Sequence, residues 1–388
     1  MSRRETLQFI NLAHFFDHFF LLIFPTAALA IAPAWHMTYA QTLVLATPLY
    51  VMFALGTLPV GWLGDRVDRM KLIILFFFGC GASSLLISVS TGPLSLMIGL
   101  GSLGLFTSLY HPVGLAHITD IGKRTGRALA VNGVFGNLGL AGAALITGLL
   151  AKNIGWKSAF WLPGIVSITI GAILYWRYRG KDKVILTHTF ATRDNQVIND
   201  RHTQFVVFGV ICVAALFGGI VFNAITISMP KFFDERLVQA AGDLTWIGAS
   251  AGAVFAIAAF AQLPVGELLD RFGARPILIF LLTGQILLLL CLTQATGWMA
   301  LILALFLVIM MFAEIPITSW LLGHYVKSEL RSRAVSVEYI LSLGMGSATV
   351  PLISMMHGAG FGFQYQFTAL AASASIVLVA AFFLPKTG

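Results

Sequence analysis

The chain has 388 residues, 58% of them hydrophobic and only 10% charged, with a mean hydropathy of +0.88 and a formal net charge of +8. Charged residues make up near a quarter of an ordinary soluble domain, and disorder needs many charges with little hydrophobicity, so both classes are excluded. Barrel strands alternate and build no long apolar runs, which leaves a polytopic helical membrane protein with room for roughly twelve crossings of about 20 residues each.

The first apolar run follows Met1-Ser2-Arg3-Arg4 directly and lacks a small-residue cleavage site, so it reads as a span and not as a cleavable signal. In chain order, apolar stretches of helical length fall near 8–34, 41–63, 71–90, 94–118, 127–151 and 157–178. They resume near 204–229, 240–266, 276–294, 298–322, 332–356 and 362–384. Most connections between them are very short, so successive helices must be antiparallel neighbours. Cys80, Cys212 and Cys291 all lie inside apolar runs, which gives neither a disulfide frame nor a cysteine metal site.

Of the 24 Lys and Arg residues, all but Lys152, Lys157, Lys231 and Arg236 fall on the N-terminus, the even-to-odd connections or the C-terminus. By the positive-inside rule that side is cytoplasmic, and both termini are expected there. The positive charge therefore belongs to loops, and no nucleic-acid partner is expected.

The polar stretch at 179–203 divides the chain into an N-terminal six-helix bundle, 1–178, and a C-terminal one, 204–388, with a cytoplasmic central loop between them. The halves echo each other. Gly61-Trp62-Leu63-Gly64-Asp65-Arg66-Val67-Asp68-Arg69 follows span two, and Gly266-Glu267-Leu268-Leu269-Asp270-Arg271-Phe272-Gly273-Ala274-Arg275 follows span eight. At nearly the same offset, Arg127-Ala128 of span five matches Arg333-Ala334 of span eleven. Two halves related by an internal repeat are the build of an alternating-access secondary transporter.

The G-x-x-x-D-R-x-x-R pattern after span two, repeated after span eight, resembles the signature loop of the major facilitator superfamily. The resemblance extends over the helix count, the central loop and both copies of the motif. It implies an all-α polytopic membrane protein with twelve transmembrane helices in two pseudo-symmetric six-helix bundles. A carboxylate such as Asp65 can cap a helix and pair with an arginine of the neighbouring helix. On that reading Gly61, Asp65, Arg66, Arg69, Asp270, Arg271 and Arg275 form a conformational latch; plain loop charges are the alternative.

Three further pieces resemble the fosmidomycin resistance protein and drug efflux group: His14-Phe15-Phe16-Asp17-His18, Leu109-Tyr110-His111-Pro112, and Gly133-Val134-Phe135-Gly136-Asn137-Leu138-Gly139. The chain departs from that group at Val113, where the group has an acid, and its span-one acid is displaced by one position. No proline follows Gly136, so the antiporter-type motif of span five is half matched. Export of a drug-like molecule is what this resemblance implies.

Ionisable groups inside a bilayer are costly and read by default as functional. At about 100° per residue, Asn11, His18, His14 and Asp17 share one face of span one, roughly 120° wide. The rest of that span is nearly all apolar, so the face is expected to look into a cavity. Asp17, His111 and Glu314 reach similar depths near the midplane, where transporter sites sit. Carboxyls and imidazoles buried together exchange protons in a coupled way. Asp17 is read first as the proton carrier, with His14, His18 and His111 as partners, and Glu314 second; a structural hydrogen bond or ion pair is the alternative for each acid.

Histidine and aspartate one turn apart can also share a cation, but no Cys or Met cluster supports one and no metal site is expected. Asn11, Tyr50, Tyr110, Asn137, Asn223, Gln262, Gln285 and Trp320 offer hydrogen bonds and stacking to a substrate. Gly133, Gly136, Gly139 and Gly142 make a strip along span five for close helix approach.

No lysine or arginine lies deep in a span, which disfavours a compact inorganic anion as cargo. Nor is there a nucleotide loop or a nucleophile with its base, so an enzyme is not expected. The expected function is proton-coupled transport of a small amphipathic organic molecule by alternating access, as an efflux antiporter of the bacterial inner membrane. A proton symporter importing a nutrient, organic acid or metal chelate is the alternative. The proton gradient serves as the energy source without a cofactor, and the protein is expected to be a monomer.

Overall fold

The computed structural model describes residues 1–64, 66–121, 125–179, 200–238, 241–326 and 328–385. Every regular element among them is helical. In lipid a backbone has no water to bond, so an isolated crossing must satisfy its own N–H and C=O groups as a helix. Twelve helices are long and apolar enough to cross. In the N-terminal half they are Arg3–Ala34, Tyr39–Gly64, Arg69–Ser88, Pro93–Ile118, Arg127–Asn153 and Ser158–Tyr178. In the C-terminal half they are Arg201–Arg236, Leu244–Phe272, Ala274–Leu292, Gly297–Tyr325, Ile340–Gly358 and Phe363–Ala381. These are called spans one to twelve. Most of the central loop lies outside the described residues.

Helix ends are set by local chemistry as well as by apolar length. Span one begins ahead of its apolar run because Ser2 and Glu5 form a reciprocal cap, each side chain bonding the other's backbone N–H. Span seven opens on Asp200, whose carboxylate accepts from the N–H groups of His202 and Thr203. Those bonds, with one from the Thr203 hydroxyl, hold the Asp200 carboxyl below the usual range.

Four spans are interrupted, span two by a 3-10 turn at Val44–Ala46. Span four breaks at Ser108 and Leu109, and span eight at residues 259–261. Each break lies where a proline, Pro112 or Pro264, denies an N–H to the carbonyl four residues earlier. Span seven instead widens into a π-helical turn, Ala214–Gly218, a local defect that often accompanies function.

Packing follows the side chains. Span one has the largest buried share of the twelve and packs most extensively on span five. The close approach needs glycine: a Cβ on Gly139 would stand 2.2 Å from the Phe15 carbonyl oxygen. Gly136 and Gly142 also face span one, meeting His14 and Phe15, so most of the span-five strip serves packing within the N-terminal half. Gly148 meets span eight across the division between halves, where Gly248 in turn faces the Ala144 carbonyl oxygen.

The two ends of the molecule differ. At the end opposite the signature loops, Ser354 Oγ donates to the Ala40 carbonyl at 2.7 Å, and Lys152 Nζ lies 3.7 Å from Asp243 Oδ2. The Tyr39 ring contacts His357 there as well, at 5.5 Å between centroids. All three contacts join one half to the other.

Candidate functional site

The polar face of span one is turned onto spans four and five. His14 is buried, and its Nδ1–H donates to the Asn132 backbone carbonyl at 2.8 Å. Its ring stacks on Tyr110 at 4.7 Å. Asp17 is fully buried, with Oδ2 3.1 Å from His111 Nε2. His18 is half-buried, and its ring centroid lies 4.9 Å from His14 and 5.4 Å from His111. The structure thus brings Asp17, His14, His18, His111 and Tyr110 together, although they come from two separate stretches of sequence.

Asn132 is the hub the sequence reading missed. Fully buried in span five, it donates from Nδ2 to Asn11 Oδ1 at 2.9 Å and accepts at Oδ1 from the Tyr110 hydroxyl at 2.9 Å. With its carbonyl on His14 it ties three predicted residues to one helix position. The available signal was an asparagine within an apolar span. Its neighbour in the series, Asn137, is also buried, and its Nδ2 has no hydrogen-bond partner among the described residues. Asn11 Oδ1, His14 Nδ1 and Asp17 Oδ2 each face another protein group, and Gly136 and Gly139 let span five approach span one closely, while Asn11 and His18 stay half-buried.

A second polar group occupies the C-terminal half. Glu314 of span ten is half-buried, and its Oε2 accepts from Gln285 Nε2 at 2.8 Å. Its other oxygen faces Gly218 in the π-helical turn of span seven. Glu314 follows His111 at close to the offset between the two signature loops, so each half carries an ionisable residue just before a proline in its fourth span, ahead of Pro112 and Pro316 respectively. Among the described residues Glu314 has no ion-pair partner. Glu338 of the span-eleven helix, which sequence reading also missed, bonds Ser342 and lies near enough to His111 for their charges to interact across the halves.

The remaining candidates are dispersed. Tyr50 donates its hydroxyl to the Leu21 carbonyl, and Asn223 Nδ2 donates to the Gly219 carbonyl. Both side by side approach Gly346 of span eleven. Gln262 lies at the break in span eight, donating to the Ala259 carbonyl and packing on Gly133. Trp320 stands apart from the polar groups: its Nε1 donates to Asp270 Oδ1 at 3.0 Å and its ring stacks on His324 at 3.8 Å.

Several described residues of the signature loops contact groups of their own half. Asp65 lies outside the described residues. Asp68, which the sequence reading did not single out, caps span three, accepting from Met70 N and Lys71 N, and it also accepts from the Tyr178 hydroxyl. Arg66 lies over the Trp62 ring, and Arg69 donates to the Gly64 carbonyl. Arg271 lies over Phe272, and Arg275 donates to the Leu384 carbonyl. A Cβ on Gly61 would meet nothing within 4 Å.

Known proteins resemble this chain over differing lengths. A probable 4-methylmuconolactone transporter of Cupriavidus pinatubonensis is 26% identical over 277 residues, 68% of this chain and 62% of the relative. The membrane sensor protein UhpC of Salmonella typhimurium is 24% identical over 47% of this chain and 42% of its own length. The chain thus spans less than two thirds of either relative. Among solved structures, a bacterial homologue of the human lysosomal transporter Spinster, in an inward-facing and unoccupied conformation, superposes with a TM-score of 0.71. It is 16% identical, and the match covers 99% of this chain and 95% of that one, so it shares the fold. The family model of the major facilitator superfamily matches residues 9–257 and again 211–388. Twelve apolar helices, two halves with repeated loops and that match together make the chain a multi-pass membrane protein belonging to the major facilitator superfamily.

Proposed function

We propose that this protein is a proton-coupled secondary active transporter of a small amphipathic organic molecule, working by alternating access as an efflux antiporter. The observation that carries the reading is Glu314, a half-buried carboxyl in a membrane span with a neutral amide as its hydrogen-bond partner and, among the described residues, no ion-pair partner. A carboxyl in that setting can hold a proton through a conformational change and release it once water reaches it from the other side. The π-helical turn beside it supplies an element that can shift register. Asp17 with His14, His18 and His111 is the corresponding acid–imidazole group of the N-terminal half.

Asn11, Tyr50, Tyr110, Asn137, Asn223, Gln262, Gln285 and Trp320 remain the proposed substrate contacts, with the buried Asn137 amide the sharpest among them, since its Nδ2 has no hydrogen-bond partner among the described residues. The export direction rests on the likeness of spans one, four and five to the fosmidomycin resistance group. Charge asymmetry supports a bacterial inner-membrane location with both termini cytoplasmic. The protein acts as a monomer and uses the proton gradient without a bound cofactor. Proton symport of a small organic acid or lactone is a second reading, favoured by the likeness to the probable 4-methylmuconolactone transporter of Cupriavidus.

The test is proton movement in liposomes that hold the purified protein and a trapped pH dye. Antibiotics including fosmidomycin, organic acids and lactones are added singly. Substrate-dependent proton flux that disappears in Glu314→Gln supports coupling, and its sign relative to substrate separates antiport from symport. Flux at the wild-type rate in Glu314→Gln removes Glu314 from that role.

A further inference from the structure

The histidines of the N-terminal half have a geometry that proton exchange does not explain. His14, His18 and His111 each offer a ring nitrogen, and these three atoms all lie within 4.8 Å of one another. The ring centroids form a near-equilateral triangle, with sides of 4.9, 5.3 and 5.4 Å. A neutral imidazole carries one N–H and one lone pair. His14 spends its Nδ1–H on the Asn132 carbonyl, which leaves the lone pair on Nε2. His111 has Asp17 Oδ2 against its Nε2. A backbone carbonyl behind one imidazole and a carboxylate behind another are the supports that orient metal-binding histidines and raise their basicity.

We infer that His14, His18 and His111 form a binding site for a divalent transition-metal ion of the zinc and cobalt class. Imidazole donors suit such ions and suit calcium or magnesium poorly. Tetrahedral coordination at zinc–nitrogen distances of 2.0–2.1 Å places ligand nitrogens about 3.3 Å apart, so the three rings need only close inward by small rotations. Three protein ligands leave one coordination position open, the arrangement of an exchangeable site and not of a structural one. The half-buried ring, His18, is the one through which an ion would enter. Gly136 keeps that centre clear: a Cβ there would stand 2.5 Å from His14 Nε2. This site is separate from Glu314 and goes beyond the organic-substrate transport proposed above.

The experiment is a titration of tag-free, metal-stripped protein in lipid nanodiscs with cobalt(II) chloride, read by visible absorption. The expected result is one saturable equivalent with the intense bands of four-coordinate cobalt. His14→Ala, His18→Gln and His111→Ala should each weaken binding at least about tenfold, and Asp17→Asn about tenfold through loss of support to His111. Gly136→Ala, which keeps all three histidines, should weaken it as well. Cobalt should also raise the thermal midpoint of the wild type and leave that of folded His18→Gln unmoved. Absence of a saturable equivalent, or unchanged binding in the variant lacking all three histidines, overturns the site. The titration reads no proton flux, so it can fail while the transport reading stands, and the reverse.

Discussion

Asn132 and Asn137 lie one and a half turns apart on span five, yet the structure gives their side chains opposite expected consequences. Asn132 bonds Asn11 and Tyr110 with its own side chain, so Asn132→Ala takes one hydrogen bond from each of two polar groups in the membrane interior. A buried polar group left without its partner costs about 1–3 kcal/mol, although hydrogen bonds between membrane helices average nearer 0.6 kcal/mol because other partners are found. A drop in the thermal midpoint of the detergent-purified protein is therefore expected. Asn137 already buries an Nδ2 that has no hydrogen-bond partner among the described residues. Asn137→Ala removes a group whose desolvation is uncompensated, so the midpoint should hold or rise, and any defect should show in substrate transport instead. Equal destabilisation by the two changes would remove the distinction between hub and substrate contact.

Between spans one and five the deciding contact is backbone against backbone. A methyl at Gly139 meets the Phe15 carbonyl oxygen at 2.2 Å, and no rotamer can relieve a clash with main chain. Gly139→Ala is expected to push the two spans apart, lowering the thermal midpoint and disturbing the His14 and Asp17 contacts together. Gly61→Ala, with nothing within 4 Å of the new methyl, should leave stability unchanged. Comparable melting of both variants would show that spans one and five do not pack this closely. The elements themselves were legible because apolar run length alone decides a crossing, and the breaks at Ser108 and in residues 259–261 could have been read from Pro112 and Pro264 four residues later. The ionisable members of the site were legible for the same energetic reason: His14, Asp17, His111 and Glu314 are conspicuous where water is absent. Their partners were not. That Asn132 joins Asn11 to Tyr110, or that Asp68 binds Tyr178 as well as capping span three, depends on helix rotation and inter-helix distance, which one sequence does not encode in any local pattern. Trp320 shows what span number alone leaves open, since an inward-facing helix still has a loop end, and there its indole meets Asp270.

At the scale of the molecule, contacts between halves are distributed unevenly. In the signature loops Arg275 bonds Leu384 and Asp68 bonds Tyr178, each within its own half. The opposite end is bridged by Ser354 to Ala40 and by Lys152 to Asp243. Alternating access requires that this bridged end part in another state, so a covalent tie across it should stop transport without unfolding the protein. The geometry offers a place for one. A Cβ built on Gly358 lies 3.7 Å from the Ala40 Cβ, inside the 3.5–4.5 Å range of disulfide-bonded cysteines. In a background with Cys212 and Cys291 replaced by serine, Ala40→Cys with Gly358→Cys is expected to cross-link under mild oxidation and to lose nearly all transport. Reduction should restore it, and each single cysteine variant should transport under both conditions. Ligand binding from the signature-loop side should survive the cross-link, because the tie leaves that end free. Full cross-linking with undiminished transport would mean that substrate does not leave or enter through the bridged end, and rigid-body exchange between the two halves would then no longer account for movement across the membrane.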